Sequence, residues 1–408
     1  MRILYVCHRF PYPPKRGGTI RPFNMIKHLH QSGHEVVVCS LTRSDEQTKE
    51  AQGIARFCAE FHLGQVDNRF QMLRMLATLP TPLTASASFF HSTLLQRKIR
   101  GLLAEQKFDL IFVHCSSVAH YVEHVRGIPK VLDFGDMDSE KWLEYAQHKP
   151  FPLSLGYWWE GRRLLAEEKR LAQRFDFCTT ITRPEHQTLL DFGVDTPSDW
   201  FPNGVDNDFF MPIEEVGYDP DTIVFLGRMD YFPNQQCMFD FCSEVLPLLK
   251  ARRPSVKLQI VGADPSAAVR KLGDIPGVTV TGSVPDVRPY VTRAALTVAP
   301  LRIARGTQNK ILEAMAMGVP VVCSAIAAGG VDAIPSQHLH AADAPAAQCD
   351  AILRILDDPQ ERERLSRAGR ARVLSNHAWP SSMKRLDSVI ERCVGSFAIP
   401  SQLHPQSP

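Results

Sequence analysis

The sequence predicts an α/β protein built as two doubly wound parallel-sheet domains in tandem. Three observations carry that prediction. Short, continuously apolar strands alternate with helix-like stretches, and the alternation restarts after a segment rich in Pro, Gly, Asn and Asp. A chain of 408 residues also exceeds what one hydrophobic core ordinarily supports.

Taken in order, "RILYVC" (2–7) is an apolar strand that leads through a Pro/Gly loop to a helix near 20–31. Gly33 stops that helix before the strand "EVVVCSL" (35–41). "FDLIFVH" (108–114), "PKVLDF" (129–134) and "FDFCTTI" (175–181) repeat the pattern, each followed by a helix-like stretch. The segment beginning "FPNGVDNDFF" reads as a linker and sets a boundary near 202–220. Beyond it "TIVFLG" (222–227), "VKLQIVG" (256–262), "VTVTG" (278–282), "LTVAP" (296–300) and "VPVVCS" (319–324) are the second set of strands. The C-terminal stretch reads as helical, and the last residues, including "PSQLHPQSP", as disordered.

Composition narrows the class. Apolar residues make up 44% and charged residues 22%, as in ordinary soluble proteins, and a formal net charge of +2 gives no reason to expect nucleic-acid binding. Ten cysteines occur without a Cys-x-x-Cys pair or zinc-like spacing, and Cys39, Cys115, Cys178 and Cys323 fall inside strands, which suits reduced core residues in the cytoplasm. Met1 runs directly into a strand rather than a signal peptide. The long uncharged run Ala314–Val331 is broken by Gly318-Val319-Pro320 and Gly329-Gly330, so no transmembrane segment is expected.

In open parallel sheets ligands bind beyond the carboxyl ends of the strands. Five features fall there. Gly17 and Gly18, after the first strand, open a helix whose free amides attract an anion; the spacing is not that of a dinucleotide fingerprint. Arg228 follows a strand and a glycine, placed to aim a forked guanidinium at phosphate. The stretch "ARGTQNKILEAMAMGVPVV" (304–322) combines Arg305, Gly306, Thr307 and Lys310, suited to a diphosphate, with Glu313, which repulsion from phosphate assigns to sugar hydroxyls. His114 ends a strand, where a ligand contact and a structural role are both open. Asp136 and Asp138 in "LDFGDMDSEKW" resemble a metal-binding pair, yet Asp, Ser and Glu before a helix are also capping chemistry; the favoured reading is structural or acceptor-facing, with no metal.

Together these residues resemble the two-domain GT-B retaining glycosyltransferases, family 4 (group 1). The likeness rests on the Gly-Gly loop, "FPNGVD" (201–206), "GR" at 227–228 and, most specifically, "NKILEAMAMGVPVV". The first Glu of the family's Glu-x7-Glu is replaced by Arg305, and a Lys usual after "GR" is replaced near Asn234. "GRMDYFPN…VPDVRPY…APLRIARGTQNKILEAMAMG" is similar to sugar transferases of exopolysaccharide loci associated with the exosortase/PEP-CTERM system.

The resemblance implies two Rossmann-like domains facing across a cleft: 1–205 on the acceptor side and 206–378 binding the nucleotide sugar. A helix near 379–395 packs back on the first, and 396–408 form a disordered tail. It further implies sugar transfer from a nucleotide diphosphate to a hydroxyl of a glycan or lipid-linked acceptor, with anomeric retention and domain closure over the donor. No cofactor or metal is expected. His114, Arg228 and Lys310 would be catalytic; Gly17, Gly18, Arg228, Arg305, Gly306, Thr307, Lys310 and Glu313 would hold the donor. Lys310 is expected to supply the phosphate charge missing at Asn234. A GT-B nucleotide-sugar epimerase, or a non-catalytic nucleotide-sugar-binding partner, are the alternatives. Residues 69–107, with six Lys/Arg and one acidic residue among apolar ones, suggest a peripheral contact with the cytoplasmic face of a membrane.

Overall fold

Runs of branched and aromatic side chains buried on both faces set two parallel sheets. The structure, a computed structural model, describes residues 1–14, 17–78, 81, 83–213 and 217–398. Among these, the chain divides into two compact units. The first comprises Met1–Ile181, Glu185–Phe201 and the chain from Met383; the second comprises Thr182–Pro184 and Pro202–Ser382.

The first unit holds β1 (Arg2–Cys7), β2 (Glu35–Thr42), β3 (Glu60–Gln65), β4 (Leu110–His114), β5 (Lys130–Gly135), β6 (Phe177–Thr180) and β7 (Ser198–Trp200) in the order β3-β2-β1-β4-β5-β6-β7, all parallel. β1 is buried from Ile3 to Cys7 and β2 from Val36 to Thr42, which is why both read as unbroken apolar runs. The strand order reverses between β1 and β4, where Cys7 pairs with His114. Chains leaving the carboxyl ends of β1 and β4 depart in opposite directions, which leaves a crevice there.

The second unit repeats the plan with β8 (Asp219–Leu226), β9 (Lys257–Val261), β10 (Val278–Gly282), β11 (Ala294–Ala299), β12 (Val321–Cys323) and β13 (His340–Ala341), ordered β10-β9-β8-β11-β12-β13 and again parallel. Its reversal lies between β8 and β11. The loop after β8 is held unusually close to the end of β9. A Cβ on Gly262 would fall 1.8 Å from the Gly227 carbonyl oxygen, so only glycine permits the approach.

Three short strands escape the apolar-run criterion. β3 is only half-buried and carries Glu60 and His62, while β7 and β13 span three and two residues. The segment expected as a linker is not loose. Phe201 to Val205 are all buried, the Val205 amide donates to the His377 carbonyl at 2.7 Å, and Gly204 packs on Trp379.

The last helix, Trp379–Ala398, continues past 395, so residues 396–398, expected to be disordered, are helical; residues 399–408 of that tail lie outside the described residues. From Met383 onward the helix belongs to the first unit, where Asp387 accepts from His28 at 2.7 Å and Arg392 pairs with Asp199 at 2.8 Å. All ten cysteines are buried and unpaired. No helix among the described residues is long and apolar enough to cross a membrane.

Candidate active site

Each sheet's reversal point carries a polar cluster. In the first unit the carboxyl end of β4 presents His114, which is nearly buried. Its Nδ1 lies 2.7 Å from Asp133 Oδ2. Asp133, within β5, is fully buried, and Arg21 grips it with two bonds of 2.9 Å, while Thr179 Oγ1 donates to Oδ1 at 2.9 Å. Arg21 comes from the Gly17–Gln31 helix, donates to the Phe201 carbonyl at 2.9 Å and lies 3.8 Å over the Phe201 ring.

Burial alone would raise the Asp133 pKa. The Arg21 charge and the bonds from His114 and Arg21 more than offset that, and the carboxyl titrates well below the usual range. An ionised carboxylate only accepts, so the proton of His114 sits on Nδ1 and the imidazole orientation is set.

The residue after His114, Cys115, has φ 84°, a left-handed conformation without glycine. Such strain costs about 1–3 kcal/mol and persists where surrounding structure enforces it; here the Cys115 amide is pinned to the Asp133 carbonyl at 2.8 Å. His8, at the end of β1, stands 5.8 Å from the His114 ring, and burial followed by the charge of His114 holds its pKa well below the ordinary histidine value. Sequence reasoning missed Arg21, Asp133 and His8. The available signals were an aspartate inside the apolar run "VLDFG" and a histidine at a strand's carboxyl end.

Gly17 and Gly18 are the first two residues of the Gly17–Gln31 helix and are exposed, with the Arg9 side chain beside Gly18. Asp138 opens the Asp138–His148 helix. Asp136 precedes it with Oδ1 buried and without a hydrogen bond; burial, reinforced by Asp138 and opposed by Lys141, raises its pKa. Buried Glu168 accepts from the amide and hydroxyl of Ser139 and Glu185 accepts from the Met137 amide, which fixes this turn. Burial pushes the Glu168 carboxyl up to about 8.

In the second unit, the loop after β8 and the loop after β11 meet. Lys310, on the Asn309–Ala316 helix, donates to Asn234 Oδ1 on the Phe232–Asp240 helix, and its ammonium lies 4.6 Å from the Phe225 ring centre. Asn234 Nδ2 in turn donates to the Arg228 carbonyl at 2.8 Å. A Cβ on Gly227 would sit 2.7 Å from Asn234 and 3.2 Å from the Lys310 ammonium, so the backbone and the cation share one small space. Burial lowers the Lys310 pKa to about 8 and raises that of Glu313, one helical turn on, to about 7.

Gly306 adopts φ 67° and its carbonyl abuts Gly330, where a Cβ would fall 2.4 Å from the oxygen. Thr307 Oγ1 is buried without a hydrogen bond, and Arg305 lies partly buried on the same loop. Arg228, expected to point at phosphate, instead clamps two carboxylates, Asp230 at 2.7 Å and Asp264 at 2.5 Å, with its side chain nearly half exposed. The second unit thus gathers Arg228, Lys310, Glu313, Gly306 and Thr307 around one reversal point, and the first gathers His114, Asp133 and His8 around the other.

This pairing of polar clusters has counterparts. Residues 16–209 match the family described as Glycosyltransferase Family 4, and residues 220–358 match Glycosyl transferases group 1. The chain belongs to these glycosyltransferases. Solved structures share the enzyme's GT-B fold over nearly its whole length. Sucrose-phosphate synthase from Thermosynechococcus elongatus aligns with a TM-score of 0.70 and 17% identity, covering 97% of this chain and 100% of that one. HepE of Anabaena, solved with UDP, gives 0.67 and 13%, covering 96% and 100%. A variant of TarM from S. aureus, solved with UDP, fondaparinux and α-GlcNAc-glycerol, gives 0.65 and 11%, covering 95% and 99%. No curated protein matches the enzyme's sequence.

Proposed function

We propose that this glycosyltransferase moves a sugar from a nucleoside diphosphate to a hydroxyl of a glycan or lipid-linked acceptor, with the anomeric configuration retained and without a metal. The observation that carries the reading is the Lys310–Asn234 contact. It holds an ammonium group against the Gly227 turn at the carboxyl end of β8, the place where parallel sheets bind phosphates. The structures of HepE with UDP and with UDP-glucose support a nucleotide-sugar donor. The sequence likeness to exopolysaccharide-locus enzymes supports a role in exopolysaccharide synthesis at the cytoplasmic side of the membrane.

In this reading the bond between the sugar's anomeric carbon and the diphosphate oxygen breaks, and a bond to the acceptor oxygen forms on the same face. The acceptor proton passes to the departing phosphate. Negative charge building on the leaving group is stabilised by Lys310, Arg228, Arg305 and the amides of Gly306 and Thr307, with Gly17 and Gly18 offering further amides. Glu313 accepts from the ribose hydroxyls. His114, its Nδ1 proton committed to Asp133, offers Nε2 to the donor sugar. Asp136 and Asp138 are assigned to the acceptor.

The test is a panel of UDP- and GDP-sugars incubated with the purified enzyme, with and without acceptor and EDTA, read by NMR of the anomeric proton. Transfer with retained configuration that survives EDTA supports the proposal. Epimerised donor formed without acceptor points to the epimerase alternative. Nucleotide binding without turnover points to a non-catalytic partner.

A further inference from the structure

The first unit turns large apolar side chains outward at two places that adjoin each other. The helices Asp138–His148 and Leu153–Ala172 run antiparallel, with Trp142 and Tyr145 against Tyr157 and Leu143 against Gly161. Their connecting tip leaves Phe151 81% exposed, and Leu153, Leu155, Trp158 and Trp159 about as exposed as polar surface residues. No acidic residue occurs from Gln147 to Trp159, whereas Lys149 lies within the tip and exposed Arg162 follows it.

The next residue, Glu160, is buried and accepts from the Ser86 amide at 3.2 Å, which fixes the Ala85–Phe89 helix beside the tip. Exposed Leu83 enters that helix. It is preceded by the Asn68–Thr78 helix, whose polarity is inverted. Gln71 is buried and bonds the His91 carbonyl at 3.1 Å, while Phe70, Met72 and Leu73 face water, each more than half exposed. A buried polar side chain among exposed apolar ones marks a face made for a partner. No acidic residue occurs from Asn68 to Ala104, and Arg69 is exposed.

We propose that this face docks on an anionic lipid surface, with the tip Phe151–Trp159 and the Phe70–Leu73 turn entering the headgroup–acyl boundary. Paired tryptophans flanked by cations suit that boundary, since the rings are amphipathic and the charges meet lipid phosphates. Charge selects the occupant. A second copy seated on the same face would set Arg69, Lys149 and Arg162 against their own counterparts with no carboxylate from either segment to pair them, whereas anionic lipid neutralises them. The tip was not visible in the basic 69–107 stretch, and the proposal stands independently of the sugar-transfer reading.

The full chain should co-sediment with vesicles of phosphatidylcholine containing phosphatidylglycerol, and at least tenfold less with phosphatidylcholine alone or in high salt. Trp158→Ser with Trp159→Ser should lower the partition coefficient at least tenfold at an unchanged melting temperature, and Lys149→Glu with Arg162→Glu should remove the preference for anionic vesicles. Equal binding by the tryptophan variant overturns the proposal. So does a wild-type dimer, seen by sedimentation, that the same variant dissociates.

Discussion

His114 Nδ1 and Asp133 Oδ2 stand 2.7 Å apart, and the same carboxylate is gripped on its other edge by Arg21. Both side chains of the Arg21–Asp133 pair are almost wholly buried. Removing one partner of a buried pair leaves an uncompensated charge and costs about 3–5 kcal/mol, while replacing both can be close to neutral. Arg21→Met and Asp133→Asn should each therefore destabilise strongly, and the double variant by much less than their sum. Urea unfolding of the three variants measures the coupling; strict additivity would show that the pair does not act as a unit. The sign of the Asp133 shift adds a pH expectation. Its stabilisation is present above the unfolded aspartate pKa and disappears only as pH falls through the lower folded value, so the wild type should keep this contribution at pH 5.

Lys310 and Asn234 form the counterpart in the second unit. A charge-assisted hydrogen bond to phosphate contributes about 1.5–3 kcal/mol, so Lys310→Ala should weaken UDP or GDP binding by about 10–100-fold in calorimetry. Because Lys310 titrates near 8, wild-type affinity should also decline as pH rises through that value, and the variant should lack this decline. Unchanged affinity in the variant would remove Lys310 from the phosphate site.

Much of this arrangement is readable in the sequence, and what is not has a physical cause. β1, β2, β4 and β8 declare themselves because both faces are buried and every position is apolar or small. β3 does not, because it is an edge strand with half-wet faces. His114, Gly227 and Lys310 follow from their places after strands or at a helix start. Arg21 does not, because an arginine in an amphipathic helix reads as a solvated one; only its partner, 112 positions away in sequence, reveals it as buried. Arg228 is legible in position but not in engagement, since Asp264 reaches it from 36 residues further on. The same limit hides the docking face: exposure of Trp158 and Trp159 is a property of how two helices pack, and composition does not report it.

Glu313 carries a stability signature. Burial raises its carboxyl from 4.5 to about 7, so the folded protein holds a proton that the unfolded chain has already released in that window. Stability should therefore fall as pH rises from about 4.5 to about 7. Glu313→Gln removes the term, and its stability curve should be flatter over that range by on the order of 1–2 kcal/mol. Lys310, without the carboxylate that helps retain its proton, should titrate below its present value of about 8. Thermal melts at half-unit pH steps measure the first effect; parallel curves for wild type and variant would show that Glu313 is ionised throughout.

Arg228 must exchange partners to serve a diphosphate. Its links to Asp230 and Asp264 are solvent-exposed, and exposed ion pairs contribute only about 0–1 kcal/mol, whereas a guanidinium on phosphate forms a bidentate, charge-assisted contact. The magnitudes favour release of the carboxylates when the donor binds. Asp264→Asn, by weakening the competitor, should raise nucleotide affinity by about twofold to fivefold, and Arg228→Ala should lower it by about tenfold or more. Titration of UDP and GDP into both variants decides the matter: a loss of affinity in Asp264→Asn would mean that the carboxylate orients Arg228 for the ligand rather than competing with it.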